Sequence, residues 1–338
     1  MFFRNPRRSP YTAADRAMIG AEHATQARAH FAGHRAYRPT PLREVPGIGR
    51  VKDESSRMGL GSFKALGGAY AVHLLAERDQ EGAPFVCASA GNHGISVASG
   101  ARESGVRCVV YLSHGVPETF AQRLRALGAD VRRAGDDYDG SVAAAQRAAD
   151  EHGWRLVADT SWYGYTEIPI DVMRGYTVLF DEVGEQDPRP PTHVFVQAGV
   201  GGLAGAAAGY VRDRWGEEPV IVVVEPEGAP CLIDSARAGK PVRAEGAPTT
   251  LGRLDCLEPS LVAFRLLEHL ADAFMTITDR QAEQAAELLA RHGVALSACG
   301  AAGAAGLLAL DDADRAALRL GPDARVLLVG TEGPVKPV

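Results

Sequence analysis

Lys64 stands between Phe63 and Ala65, with Ser62 before it and Gly67-Gly68 after it. Small and apolar neighbours solvate an ammonium poorly. Burial lowers the pKa of an amine and leaves a nucleophilic free base, the state that Schiff-base chemistry uses. A surface lysine on a helix is the plainer alternative. Three further stretches carry polar or small residues where chemistry could be done. Ser89-Ala90-Gly91-Asn92-His93-Gly94 follows the apolar run 85–88 and opens a helix. Backbone N–H groups at such a start make an anion site suited to a carboxylate, and capping by Ser89 or Asn92 uses the same geometry. Gly199-Val200-Gly201-Gly202-Leu203-Ala204-Gly205 follows the apolar run 193–197. Its small residues let the backbone approach a phosphate. The spacing Gly199-x-Gly201-x-x-Ala204, with Glu225 ending the next strand, fits a dinucleotide fingerprint equally well, and so a NAD-dependent oxidoreductase. Asp159 either closes a turn or serves as a general acid/base. Cys299, in Ser297-Ala298-Cys299-Gly300, reads first as a buried thiol at a tightly packed helix start.

Periodicity predicts the elements that must position these residues. Strands are expected at 85–88, 106–112, 130–133, 154–158, 193–197, 220–225, 274–278 and 325–329. Helices are expected from about 95, from 117 to near 128, and at 140–152, 166–183, 201–215, 279–292 and 299–310. One more short helix is expected within 226–246. Pro169 falls in the first turn of its helix, where the missing N–H costs little. The stretch 220–225 is so uniformly β-branched that both its faces must be covered. Residues 1–35 read as an N-terminal arm with Ala-rich helical patches, 37–42 as an extended proline-punctuated segment, and 187–191 as a linker. Alternating strands and helices argue for an α/β protein with parallel sheets wrapped by helices.

Composition narrows the classes. The chain has 338 residues, 46% of them apolar and 23% charged, with a net charge of −6. That is the balance of a globular protein without the broad basic surface that nucleic acid requires. The most apolar run, 194–211, contains Gln197 and many glycines, so it reads as strand, loop and helix and not as a membrane span. Met1–Pro10 has basic residues with no apolar core after them, so no secretory signal is expected. The five cysteines (Cys87, Cys108, Cys231, Cys256, Cys299) are odd in number and form no CxxC. Thiols in a reducing cytoplasm fit best. Neither an HExxH motif nor a Cys/His cluster occurs, so no metal site is expected.

Taken in order, these stretches resemble the fold-type II, tryptophan synthase β-like pyridoxal-phosphate enzymes. Ser62–Gly68, preceded by Lys52-Asp53-Glu54-Ser55, looks like their cofactor-lysine segment, and Pro39-Thr40-Pro41-Leu42 like the PTPL shortly before it. Ser89–Gly94 is similar to the substrate-carboxylate loop, and Gly199–Gly205 to the phosphate loop. Asp159-Thr160-Ser161-Trp162-Tyr163-Gly164-Tyr165 resembles the DTxWxGY stretch of the diaminopropionate ammonia-lyases. Ser297–Gly303 resembles a serine dehydratase segment, and Thr331-Glu332-Gly333 a TEG near the family's C-terminus. The resemblance runs from about Tyr37 to Gly333.

It implies two parallel-sheet α/β domains with the cofactor between them: residues 1–56 and 171–338 the large domain, 57–170 a small inserted one. It implies pyridoxal 5'-phosphate carried by Lys64, with Phe63, Asn92, Gly199, Val200, Gly201, Gly202, Leu203 and Cys299 around it. Ser89, Ala90, Gly91 and His93 would meet the substrate, and Lys64 and Asp159 would be catalytic. The activity implied is β-elimination from a small amino acid, 2,3-diaminopropionate to pyruvate and ammonia, by a homodimer. A serine/threonine dehydratase or a β-replacement synthase would share most of these residues. Two positions depart from the ammonia-lyase pattern. Ala90 stands where those enzymes tend to carry an acid linked to substrate handling and stereochemistry. Cys299 stands where they more often have serine. A weak neutral partner leaves the cofactor's ring nitrogen largely unprotonated, which suits elimination over transamination.

Overall fold

A computed structural model describes residues 1–78 and 82–334. Its strands are β1 (Phe2–Arg4), β2 (Leu42–Val45), β3 (Gly49–Asp53), β4 (Phe85–Cys87), β5 (Cys108–Leu112) and β6 (Asp130–Arg133). They continue with β7 (Arg155–Leu156), β8 (His193–Gln197), β9 (Val220–Pro226), β10 (Ala273–Ile277) and β11 (Val326–Gly330). The helices are α1 (Ala13–Met18), α2 (Ala21–Ala32), α3 (Lys64–Arg78), α4 (Asn92–Glu103), α5 (Glu118–Ala126), α6 (Tyr138–His152) and α7 (Glu167–Gln186). They continue with α8 (Gly202–Trp215), α9 (Cys231–Ala238), α10 (Leu261–Leu270), α11 (Asp279–Arg291), α12 (Ala298–Ala309) and α13 (Asp312–Ala317).

Two sheets organise the chain. A seven-stranded sheet has the order β1-β10-β9-β8-β11-β3-β2, and a four-stranded sheet the order β6-β5-β4-β7. The small sheet is parallel throughout, as is the centre of the large one. Every residue of β8, β9, β10 and β11 is buried, because helices cover both faces. In each sheet the strand order reverses once. β8 lies between β9 and β11, and β4 lies between β5 and β7. Crevices at such switch points, outside the C-terminal strand ends, are where open α/β sheets bind ligands. Here the two switch-point strands lead into 198–201 and 88–91, both glycine-containing.

A close helix contact and a buried charge network fix α7 in place. Helix α3 packs closely on α7: a Cβ on Gly67 would lie 2.3 Å from the Tyr176 ring, so glycine is required there. Beneath β3 and α7, Lys52, Glu54, Arg57 and Glu182 form a charge-balanced network that is wholly shielded from solvent. Arg57 Nη1 and Nη2 each reach Glu182 at 2.8 Å, and Lys52 Nζ lies 2.6 Å from Glu182 Oε2.

Several expectations are corrected. Within the expected N-terminal arm, residues 2–4 form an antiparallel edge strand on β10, held by the Asn5 amide, which donates to Glu268 O and Ala271 O. The β2–β3 pair is also antiparallel, so the large sheet is mixed at both edges. Helix α4 starts at Asn92 and not near Ile95, because Gly91 supplies the extended N-cap backbone. Only two residues of the expected strand 154–158 pair as a ladder. Helix α10 had no counterpart in the sequence reading.

Candidate active site

The ends of both switch-point strands open into one cavity of about 940 Å³. Lys64, the first residue of α3, enters it from the side. Its approach is set by the C-terminal segment: Phe63 N donates to Thr331 O (3.0 Å), and Gly333 N to Gly61 O (3.2 Å). Asp159 arrives from the end of β7. Tyr165 holds that chain in place, accepting from Ala158 N (3.0 Å) and donating to Leu156 O (2.8 Å). Ser161 then pins it across to α10: Val262 N donates to Ser161 Oγ (2.9 Å), and Ser161 and Ser260 share a hydroxyl contact of 2.7 Å. The DTSWYGYT segment thus spans from one sheet to the helices of the other.

The structure brings the residues expected around the cofactor and substrate to this cavity, but not Glu225. Phe63, Lys64, Ser89, Ala90, Gly91, Asn92, His93, Asp159, Gly199, Val200, Gly201, Gly202, Leu203 and Cys299 all line it. Lys64 Nζ donates to Asp159 Oδ2, and the pair keeps about a fifth to a quarter of its side-chain surface exposed. The ammonium also lies 5.3 Å from the Phe63 ring centroid and 5.6 Å from that of Tyr176, within cation–π range. Burial alone would lower the Lys64 pKa, as the sequence reading expects. The Asp159 charge and the Tyr176 hydroxyl outweigh it, and the net direction is up. Burial pushes Asp159 up, but His93 and Lys64 together carry it well below the usual carboxylate range. In the protein alone this pair is therefore ammonium and carboxylate.

On the other wall, Gly201 has φ +101, a left-handed backbone that favours glycine, and forms the N-cap of α8. The first-turn N–H groups of α8 face the cavity without intrahelical partners. Asn92 donates to Glu332 Oε2, which also receives Arg253 Nε (3.1 Å), while Ser297 Oγ donates to Glu332 Oε1 (2.7 Å). Cys299, in the first turn of α12, is 7% exposed; burial pushes its thiol up to about 11, so it is neutral. Ser89 Oγ accepts from Gly91 N (3.2 Å), closing its own turn.

Sequence reasoning missed several lining or supporting groups. Gln197 Nε2 donates towards Gly300 O (2.9 Å) and Val329 O (3.0 Å), tying the end of β8 to α12 and β11. Its signal was a lone amide in the most apolar run. Tyr176 and Arg253 carried no motif and reach the site only through tertiary packing. Glu225, the candidate ribose-binding acid, is a correction. It is fully buried and away from the cavity, accepting from Leu232 N (2.7 Å) and Ile233 N (2.8 Å) at the start of α9.

Comparison with known proteins decides between the phosphate and dinucleotide readings. The family described as "Pyridoxal-phosphate dependent enzyme" matches residues 34–332. This chain belongs to that family. Its fold is that of the fold-type II members and its cofactor is pyridoxal phosphate, so the nicotinamide alternative is set aside. The enzyme is 34% identical to diaminopropionate ammonia-lyase of Escherichia coli strain K12, over 88% of this chain and 85% of that one. It is 31% identical to a mouse serine dehydratase-like protein, over 69% and 73% of the two chains. The crystal structure of the Escherichia coli ammonia-lyase in complex with D-serine superposes with a TM-score of 0.89 at 31% identity, covering 98% of this chain and 93% of that one.

The cavity fits the cofactor chemically. One space offers a lysine amine, a helix start with a glycine-built approach for a phosphate, an amide at Asn92 and a neutral thiol at Cys299. Its volume lies in the range of about 300–1,000 Å³ usual for such ligands. Among the described residues, no group of three or more His, Cys, Asp or Glu could hold a metal, and no helix is long and apolar enough to cross a membrane.

Proposed function

We propose that this enzyme is a carbon–nitrogen lyase that removes the β-amino group of a small amino acid, with 2,3-diaminopropionate giving pyruvate and ammonia. The observation that carries the reading is the Lys64–Asp159 contact inside the cavity, made by a segment of ammonia-lyase type. When bound, the cofactor supplies an aldehyde for the substrate amine and a sink for the electrons left on the α-carbon. Lys64 would hold it covalently, the N–H groups of Gly199–Leu203 would take its phosphate, and Phe63, Asn92 and Cys299 would lie beside its ring. The Ser89–His93 loop receives the substrate carboxylate with backbone N–H groups at the start of α4. Lys64, once free and neutral, accepts the α-proton. Asp159, or a group on the cofactor, supplies the proton with which the departing nitrogen leaves as ammonia. The neutral Cys299 thiol disfavours ring protonation and so favours elimination.

Residues 57–170 serve as a small domain inserted in a large one formed by 1–56 and 171–338. The working unit is a cytoplasmic homodimer. Cys299 also favours a second reading, a serine/threonine dehydratase, in which Asp159 would matter little. Small amino acids added to the cofactor-loaded enzyme separate the two. Pyruvate and two equivalents of ammonia from diaminopropionate, with slower turnover of serine, are expected. Efficient turnover of serine with none of diaminopropionate would overturn the first reading. A new amino acid formed when thiols or amines are supplied would identify a β-replacement synthase.

A further inference from the structure

His93 is 6% exposed and sits in the first turn of α4. Its Nε2 lies 2.9 Å from Val157 O, an atom that can only accept, so Nε2 carries a hydrogen and donates it. That bond fixes the ring. The other nitrogen, Nδ1, is buried and has no hydrogen-bond partner. It points at Asp159, 3.9 Å from Oδ2, the same oxygen that Lys64 contacts. A bare Nδ1 facing a carboxylate oxygen sets two acceptors against each other, and a proton between them removes the conflict. Five other titratable groups feel the Asp159 charge: Cys87, Tyr138, Tyr165, Tyr176 and Cys256. All five are phenols or thiols raised above their ordinary values, and so neutral. Imidazole is the side chain suited to exchanging a proton near neutral pH.

We propose that His93 is the proton store for Asp159, returning through Nδ1 the proton that Asp159 gives to the departing nitrogen. The inference rests on the role assigned to Asp159 above. A substrate bound as its neutral β-amine takes one proton through Asp159 Oδ2 as the Cβ–N bond breaks. The imidazolium then passes its Nδ1 proton to Asp159 Oδ2 and remains neutral, with Nε2–H still on Val157 O. Lys64 releases the α-proton to water and water returns one to Nδ1, so the proton lost from Cα balances the one that leaves with ammonia. Lys64 and His93 flank one oxygen, and His93 is the cation that remains when Lys64 turns elsewhere. His93 is thus a positioning and relay residue acting through Asp159.

The test uses His93→Gln, whose amide can keep the bond to Val157 O while removing Nδ1. With diaminopropionate, turnover should fall on the order of 10²-fold, the scale of a lost acid–base partner, and its pH profile should lose the alkaline limb. With β-chloroalanine, whose chloride leaves without a proton, only the loss shared through the Ser89–His93 loop is expected, so the loss on diaminopropionate should be the larger. Equal losses on both substrates, or full activity on diaminopropionate, would overturn the relay. A second arm needs no turnover. In cofactor-free protein carrying ¹⁵N-histidine, Lys64→Met should hold the His93 imidazolium to higher pH than in the parent, and Asp159→Asn should do the reverse. A His93 signal indifferent to both variants overturns the proposal. A responsive signal in a protein inactive on diaminopropionate would leave the relay standing and discard the ammonia-lyase reading.

Discussion

Two lysine–carboxylate pairs, twelve residues apart at their lysines, do opposite work. Lys52 and Glu182 meet at 2.6 Å with no exposure on either side. All the hydrogens of Lys52 are spoken for: Thr40 O accepts at 2.7 Å, Gln186 Oε1 at 3.0 Å, and Glu182 takes the third. Glu182 is shared with Arg57, and Glu54 balances the second cation. Lys64 and Asp159 meet at the cavity wall, with one carboxylate, two aromatic rings and open space around the ammonium. Burial wins at Lys52, where the net direction of the amine's pKa is down despite the ion pair. At Lys64 the partner wins, and the direction is up. A charge with every bond satisfied holds the fold. A charge that can give up its partner can react.

This contrast can be broken or sharpened by substitution. Asp159→Asn should cut turnover on diaminopropionate by about 10²–10⁴-fold, the usual value of an acid–base residue, and hardly change the denaturation midpoint. Steady-state kinetics beside a urea melt checks both halves. Lys52→Met should do the reverse. Stripping one partner from a buried ion pair costs about 3–5 kcal/mol of stability, while turnover per folded molecule stays near the parent value. A large loss of turnover in folded Lys52→Met would show that the two networks are coupled. The smallest effect concerns Glu225, a buried carboxyl with no cation. Burial raises it from the ordinary 4.5 to about 8, against the two backbone N–H groups it caps. The folded state then binds more protons than the unfolded one between those values, so Glu225 makes stability fall as pH rises through that window. Melts of Glu225→Gln across it should show a flatter decline.

Much of this was legible in the sequence. The strand 193–197 and the helices beside it follow from local periodicity, and the glycine-rich turns mark both switch points. What escaped depends on distant chain. Phe2–Arg4 becomes a strand only because the edge of β10 lies free beside it. Periodicity points to the first apolar residue, Ile95, as the start of α4, whereas backbone geometry at Gly91 sets it. The chemistry around Lys64 was read from its neighbours in sequence, which gave burial but not Asp159, ninety-five residues away, and so the wrong sign for its pKa. Glu225 had the spacing of a ribose ligand, but its side chain turns to α9, a direction that spacing does not encode.

The central claim is that Lys64, and no other lysine, carries the cofactor. The chain has only Lys52, Lys64, Lys240 and Lys336 to choose from. Borohydride reduction of the loaded enzyme, followed by proteolysis and mass spectrometry, reads the answer directly. The account predicts one pyridoxyl-phosphate adduct per chain, on Lys64. An adduct on Lys52, Lys240 or Lys336, or none on Lys64 in an enzyme that turns over, would contradict it.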